Sequence, residues 1–268
     1  MKNVYIIFLL FITFLICNNC TPKKQHNQTI NEIHTYKDFI NKGYKFGVQM
    51  GDIYGNVVKD IFKTNADEYM NVYDLLEAVK IGKIDAAVID NSYVRQLKES
   101  GSFPDFEFML IPEEEFVNLS AVLFHKEDLR IEYNKWLAGI KIDGTLEEIT
   151  NRWLGVPLPE YSDIPKFTLP GENGILTVCD TGDYPPFSYY SSDGEIVGFN
   201  YDMLNRFAEY TGRKLEIIIM NYAGILPAIA SGKADMSACV FTITEERADN
   251  VLFGDPCVIS QGTLVYKK

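Results

Sequence analysis

Several residues have types and spacings suited to gripping a small charged molecule. Arg247 closes the run Thr244-Glu245-Glu246-Arg247. A guanidinium takes a carboxylate through two parallel hydrogen bonds, a geometry lysine cannot match. Asp90 ends the apolar run Ala86-Ala87-Val88-Ile89, which predicts a strand terminus, the place where open α/β sheets bind ligands. There it would supply a fixed anion for an ammonium. Tyr184 and Phe187, in Asp183-Tyr184-Pro185-Pro186-Phe187, offer aromatic faces that attract an ammonium and cover an apolar body, and Tyr222 is a further wall candidate. The two prolines hold that loop extended. A cation, an anion and a shaped wall are what a free amino acid requires. Each residue also has a plainer reading: a surface arginine paired with Glu245 or Glu246, a turn aspartate before Asn91 and Ser92, and ordinary core aromatics.

This is recognition chemistry rather than bond making. No HExxH, GxSxG or phosphate loop occurs, and His26, His34 and His125 fall outside these segments. An acid/base pair of Asp52 and Asp90 is the one catalytic arrangement left open. No catalytic residue, metal or cofactor is therefore expected. A net charge of −12 with no basic stripe excludes nucleic acid as a partner; the acidity reads as a solubility device.

At the N-terminus Lys2 precedes an apolar run, Val4 to Cys17, short for a membrane span and right for a signal-peptide core. Cys20 follows, before a polar stretch, and the arrangement is similar to a bacterial lipoprotein signal in which the cysteine is lipidated. The box is relaxed, with Asn19 and Cys17 where a small residue and leucine are usual. Residues 1–20 are thus expected to be a signal peptide and 21–35 a polar tether, anchoring the chain to the membrane on its extracytoplasmic side. Plain secretion and an uncleaved anchor are the alternatives. Cys179, Cys239 and Cys257 complete the cysteines; an odd number is no disulfide scaffold. A Cys179–Cys239 bridge is conceivable, buried thiols simpler.

The elements that must position these residues form an α/β pattern. The segments LLEAVKIGKIDAAVID (75–90) and ILPAIASGKADMSACV (225–240) share one frame: an apolar helix, a glycine to stop it, Lys-x-Asp, then a buried strand. The echo predicts two similar lobes, with Asp85 and its twin Asp235 structural. Strands are expected at Tyr44–Gln49 and Ile175–Cys179. Helices are expected at Tyr201–Tyr210 (ended by Gly212), Leu129–Ala138 and Leu146–Leu154, the last with Thr145 and Glu148 as a capping box. Residues 156–173, with four prolines, read as a linker.

The motifs YPPFSY, GFxxD, TxTxxR and GKxDAAxxD resemble those of bacterial extracellular solute-binding proteins, the amino-acid-binding subclass of ABC-importer receptors. The resemblance implies two Rossmann-like lobes joined by a hinge, a Venus-flytrap. The order is reversed: 174–268 resembles the family's first lobe, and 36–155 its second lobe with the closing phrase DGTxxxIxxxWxG. A circularly permuted monomer is the economical reading. A truncated tandem remnant and lobes swapped between molecules stay open.

The resemblance also assigns roles. Arg247 would hold a ligand carboxylate, Thr242 would add a hydroxyl and Asp90 would hold the ammonium. Val240 stands with Cys239 and Phe241 where small residues are usual, leaving backbone groups to bind. Gly51, Asp52 and Ile53 form a strand-to-helix turn whose amides would face the carboxylate, although the charge of Asp52 would repel it; Asp52 is also a candidate cap. Thr181 replaces a frequent acid. An extracytoplasmic receptor delivering an amino acid or similar zwitterion to an ABC permease is thereby implied. A sensing lipoprotein and a fold-related dehydratase are the alternatives.

Overall fold

The structure, a computed structural model, describes residues 33–155, 164–169 and 171–268. The expected signal peptide, Cys20, the tether up to residue 32 and linker residues 156–163 and 170 lie outside the described residues.

In chain order the elements begin with β1 (Phe46–Gln49), α1 (Tyr54–Val57), β2 (Ala66–Tyr69), α2 (Val72–Lys80), β3 (Ala86–Asp90), α3 (Asn91–Ser100) and β4 (Phe106–Leu110). Next come β5 (Asn118–Ala121), β6 (Leu123–Phe124), α4 (Glu127–Ile142) and α5 (Thr145–Leu154). After the linker follow β7 (Ile175–Asp180), β8 (Asp183–Tyr184), β9 (Ser188–Tyr190), β10 (Ile196–Val197) and α6 (Phe199–Thr211). The series closes with β11 (Lys214–Ile219), α7 (Tyr222–Ala230), β12 (Met236–Ser237), β13 (Phe241–Thr242), α8 (Glu245–Ala248), β14 (Leu252–Phe253), β15 (Val258–Ser260) and β16 (Gly262–Lys267).

Two five-stranded sheets define two lobes. Lobe I has the order β2-β1-β3-β16-β4 and lobe II the order β11-β7-β12-β6-β14. Each is parallel at its centre, β1 beside β3 and β7 beside β12, with antiparallel strands added. The lobes therefore cut across the chain: β16 returns to lobe I, while β5, β6, α4 and α5 belong with lobe II. The chain crosses between lobes twice, at Ile111–Asn118 and Ser260–Gly262. These crossings lie side by side, since the Ile111 amide donates to the Gly262 carbonyl at 2.8 Å and the Asn91 amide to the Gln261 carbonyl at 2.9 Å.

The repeated helix–glycine–strand frame is visible atom for atom. Gly82 and Gly232 take φ of +71° and +73°, so each can reverse the chain where a side chain would be strained. Asp85 accepts the Lys45 amide at 2.7 Å and Asp235 the Thr177 amide at 2.9 Å, each tying its turn to the neighbouring strand. The apolar faces of α2 and α7 close over their sheets through Leu75, Leu76 and Val79 and through Ile225 and Ile229. A larger core in lobe II packs Tyr133, Trp136, Phe207 and Trp153 beneath α4, α5 and α6.

The expected strands and helices are present within a few residues. One detail differs: α5 has no capping box. Thr145 is already inside the helix, Gly144 caps it at φ +87°, and Asp143 accepts the Thr145 amide at 2.9 Å. With Gly144 as the cap, the Glu148 amide donates to the Gly144 carbonyl at 3.0 Å, which leaves that amide no need of the threonine hydroxyl.

Candidate functional site

The C-terminal ends of β1, β3 and β7 and the loop after β12 converge on a crevice between the lobes. It holds about 570 Å³ of space unfilled by protein, its open mouth included. Asp90, Thr242, Tyr184, Phe187, Val240 and Tyr222 all line it. Gly51, Ile53 and Arg247 instead line an adjoining groove, and Asp52 and Tyr222 face both spaces.

Asp90 caps α3 and is nearly buried. Oδ1 accepts the Ser92 amide at 2.9 Å and the Ser92 hydroxyl; Oδ2 accepts Tyr54 Oη at 2.9 Å, Asn118 Nδ2 at 3.1 Å and Ser260 Oγ at 2.5 Å. Asn118 and Ser260 flank the two crossings, so this carboxylate gathers both hinge strands onto lobe I.

Arg247 follows Thr244, whose hydroxyl caps α8 by accepting the Arg247 amide at 3.2 Å. Its Nη1 donates to the Thr242 carbonyl at 2.9 Å, and in the adjoining groove its Nη2 reaches the Gly51 carbonyl of lobe I at 2.8 Å. The guanidinium also lies 5.5 Å from the centre of the Phe241 ring, which stacks on Tyr222 at 4.4 Å.

Gly51 itself, at φ +81°, sits so close to lobe II that a Cβ would stand 2.9 Å from Ala223 Cα. Only glycine permits that approach. Tyr184 makes a second inter-lobe contact, stacking on Tyr93 of lobe I with centroids 4.9 Å apart. Arg95 makes a third, from α3 to the Leu154 carbonyl at 2.8 Å. The lobes are closed on one another. The peptide between Pro185 and Pro186 is cis.

Asp52 does not cap α1, whose N-cap is Ile53 without a side-chain bond; α1 is one turn long. Its Oδ1 accepts the adjacent Ile53 amide at 2.6 Å. Burial pushes its carboxyl up to about 6, although the Arg247 charge beside it pulls the other way. Behind the crevice Asp180 is fully buried, and burial raises its pKa. It accepts from the Ser188 hydroxyl, the Thr181 amide at 2.8 Å and the Cys239 thiol at 3.0 Å. Cys179, Cys239 and Cys257 are free thiols whose pKa values are raised by burial.

The sequence pointed to the strand ends but not to Gln49, Tyr54, Asn118, Ser120, Val258 or Ser260, which complete the lining. Tyr54 had a usable signal, standing two residues after Asp52 in the same turn. Asn118 and Ser260 had none, because only the hinge brings them together. Neither His34 nor His125 reaches the crevice; His125 Nδ1 lies 2.9 Å from the Ile229 carbonyl. Among the described residues no cluster of His, Cys, Asp and Glu could hold a metal, and no helix is long and apolar enough to cross a membrane.

Residues 176–268, which carry β7 through β16, match the profile of the bacterial extracellular solute-binding proteins, family 3. That segment is similar to this family. Its relatives include cyclohexadienyl dehydratase of Pseudomonas aeruginosa, 35% identical over 32% of this chain and 32% of that protein. The arginine-binding protein ArgT of Corynebacterium glutamicum is 32% identical over 37% of this chain and 32% of that protein. Among solved structures, a truncated ArgBP from T. maritima in its arginine-bound form is 36% identical over 29% of this chain and 36% of that chain, with a TM-score of 0.28. The chain spans about a third of the length of these curated relatives.

Proposed function

We propose that the chain is an extracytoplasmic receptor that captures an amino acid or similar small ammonium-bearing solute by closure of its two lobes, without catalysis. The observation that carries this reading is the crevice itself: strand ends of both lobes meet around a polar and aromatic lining, and two adjacent crossings provide the hinge. ArgT supports the ligand class by its name. Anchoring through Cys20, delivery to an ABC permease and action as a monomer belong to the same proposal. So does circular permutation, supported by the return of β16 to the sheet of β1 and β3, with the Phe39 and Tyr266 rings 5.2 Å apart.

The mechanism follows from differential contact. A ligand stabilises the closed state only by the contacts it makes there and not in the open one. Closure also removes water and so strengthens every charge interaction inside.

Thermal unfolding of the purified chain against a panel of amino acids, amines and small peptides tests the reading. A ligand at a hundredfold its dissociation constant should add about 2.7 kcal/mol, or roughly 5–10 °C at this size. A cooperative transition that no compound shifts would remove the receptor reading. An enzymatic reading has one observation in its favour, a half-buried carboxyl at Asp52 held near pH 6 in a relative of a dehydratase. Turnover of a cyclohexadiene acid, abolished in Asp52→Asn, would establish it in place of simple capture.

A further inference from the structure

The lining of the crevice is one-sided in charge. Asp52 and Asp90 face it, and among the described residues no lysine, arginine or histidine does. The two carboxylates differ. Asp90 already accepts from Tyr54, Ser92, Asn118 and Ser260. Asp52 Oδ1 is held by the Ile53 amide, whereas its Oδ2 accepts no hydrogen bond among the described residues. Arg247, the group suited to a ligand carboxylate, spends its terminal nitrogens on two backbone carbonyls in the adjoining groove. Asp52, which faces that groove too, sets the protein's own carboxylate within reach of its charge. A ligand carboxylate in the crevice would therefore meet two like charges and no opposing one.

Other lining groups favour the opposite charge. Thr181 is more than nine-tenths buried, and its hydroxyl, beside the Cys239 thiol, has no hydrogen-bond partner of acceptable geometry. The Gln49 side chain is similarly buried and makes no hydrogen bond among the described residues. Both offer an oxygen to a donor. Tyr184, Phe187 and Tyr222 add ring faces, which attract cations and cover hydrocarbon.

We propose that the ligand is an organic cation without a carboxylate: an ammonium or guanidinium carried on an apolar or aromatic body. The cation meets Asp52 Oδ2, with Gln49 and Thr181 as neutral acceptors, and its body lies on the aromatic wall. This rests on the receptor reading above and narrows it from amino acids to amines.

Calorimetric titration of the full chain with three matched pairs decides the matter: agmatine and arginine, cadaverine and lysine, tyramine and tyrosine. Within each pair only the α-carboxylate differs. The expected result is that at least one amine binds tenfold or more tightly than its carboxylated counterpart, and that Asp52→Asn weakens that amine at least tenfold. If the amino acid binds as well as its amine in every pair that gives heat, the inference fails and the receptor reading stands. If none of the six compounds binds or shifts the thermal transition, the inference fails, and a silent wider panel would take the receptor reading with it. Gln49→Leu, expected to weaken the amine while keeping a cooperative transition, serves should Asp52→Asn not fold.

Discussion

Asp52 and Asp90 share a crevice and a charge, yet their surroundings give them different work. Asp90 is an acceptor for buried donors. Its removal in Asp90→Ala leaves the Tyr54 hydroxyl, Asn118 and Ser260 without their acceptor, at a cost of about 3 kcal/mol. Urea unfolding of the ligand-free chain should register that loss. A ligand-free stability equal to the parent's would mean the network is dispensable. Asp52 behaves in the opposite sense. Its carboxyl is raised by burial to about 6, so the folded chain binds this proton more tightly than the unfolded chain. The resulting contribution to stability is therefore greatest below the unfolded value near 4 and is lost as pH rises to about 6, a fall of roughly 2–3 kcal/mol. Asp180, also raised by burial, slopes the same way. Asp52→Asn is expected to be more stable than the parent at pH 7.5, with a flatter urea-midpoint profile between pH 4 and 6. A less stable variant at pH 7.5 would show that the carboxylate has a favourable partner. The groups facing Asp52 are Arg247, Asp90 and the Tyr54, Tyr184 and Tyr222 phenols, the phenols held well above their usual range. Affinity for an ammonium probe should accordingly fall about tenfold between pH 7 and pH 5.

At the scale of elements, two sequence motifs separated by the linker turn out to be one structural joint. Asp202, in GFxxD on α6, is buried and accepts Trp153 Nε1 at 3.0 Å, Arg152 Nη1 at 2.8 Å and Arg206 Nε at 2.7 Å. Trp153 and Arg152 come from the closing phrase on α5. This joint fastens α5 to α6, and α5 also packs on α4. Asp202→Ala should cost about 2–4 kcal/mol, since a buried indole N–H and two arginines lose their acceptor; the urea midpoint measures it. The Asp85 and Asp235 turns show how far local pattern reaches. Both turns were legible because helix, glycine and strand are neighbours in the chain, whereas the aspartate bonds reach Lys45 and Thr177, 40 and 58 residues away, and were not. The expected α5 capping box is absent because the helix begins one residue earlier than that spacing requires, with Gly144 as its cap and its carbonyl accepting the Glu148 amide.

For the whole molecule the motion the proposed function requires is closure about the paired crossings. Gly51 has two reasons to be glycine, a left-handed φ and contact with Ala223. Gly51→Ala is expected to hold the lobes apart at a stability cost of about 1 kcal/mol. Small-angle scattering should then find a larger radius of gyration, unreduced by a ligand that compacts the parent; an unchanged radius would show that closure tolerates the methyl group. Arg247→Ala removes the inter-lobe bond to Gly51 and should shift the same balance more weakly, by about 1 kcal/mol or a factor of five in the closed population.

The sequence by itself determined the two-lobe α/β pattern and the strand end that carries Asp90. Those features are written in periods of a few residues, within one helix or strand, where apolar spacing and turn glycines leave little choice. Only the tertiary structure decided that Asp90 is encircled by Tyr54, Asn118 and Ser260, and that Arg247 reaches Gly51 rather than the crevice. It also decided that β16 completes the sheet of lobe I. Each of these depends on contacts between segments tens to hundreds of residues apart. Their geometry is set by how the two lobes meet, which no local spacing encodes.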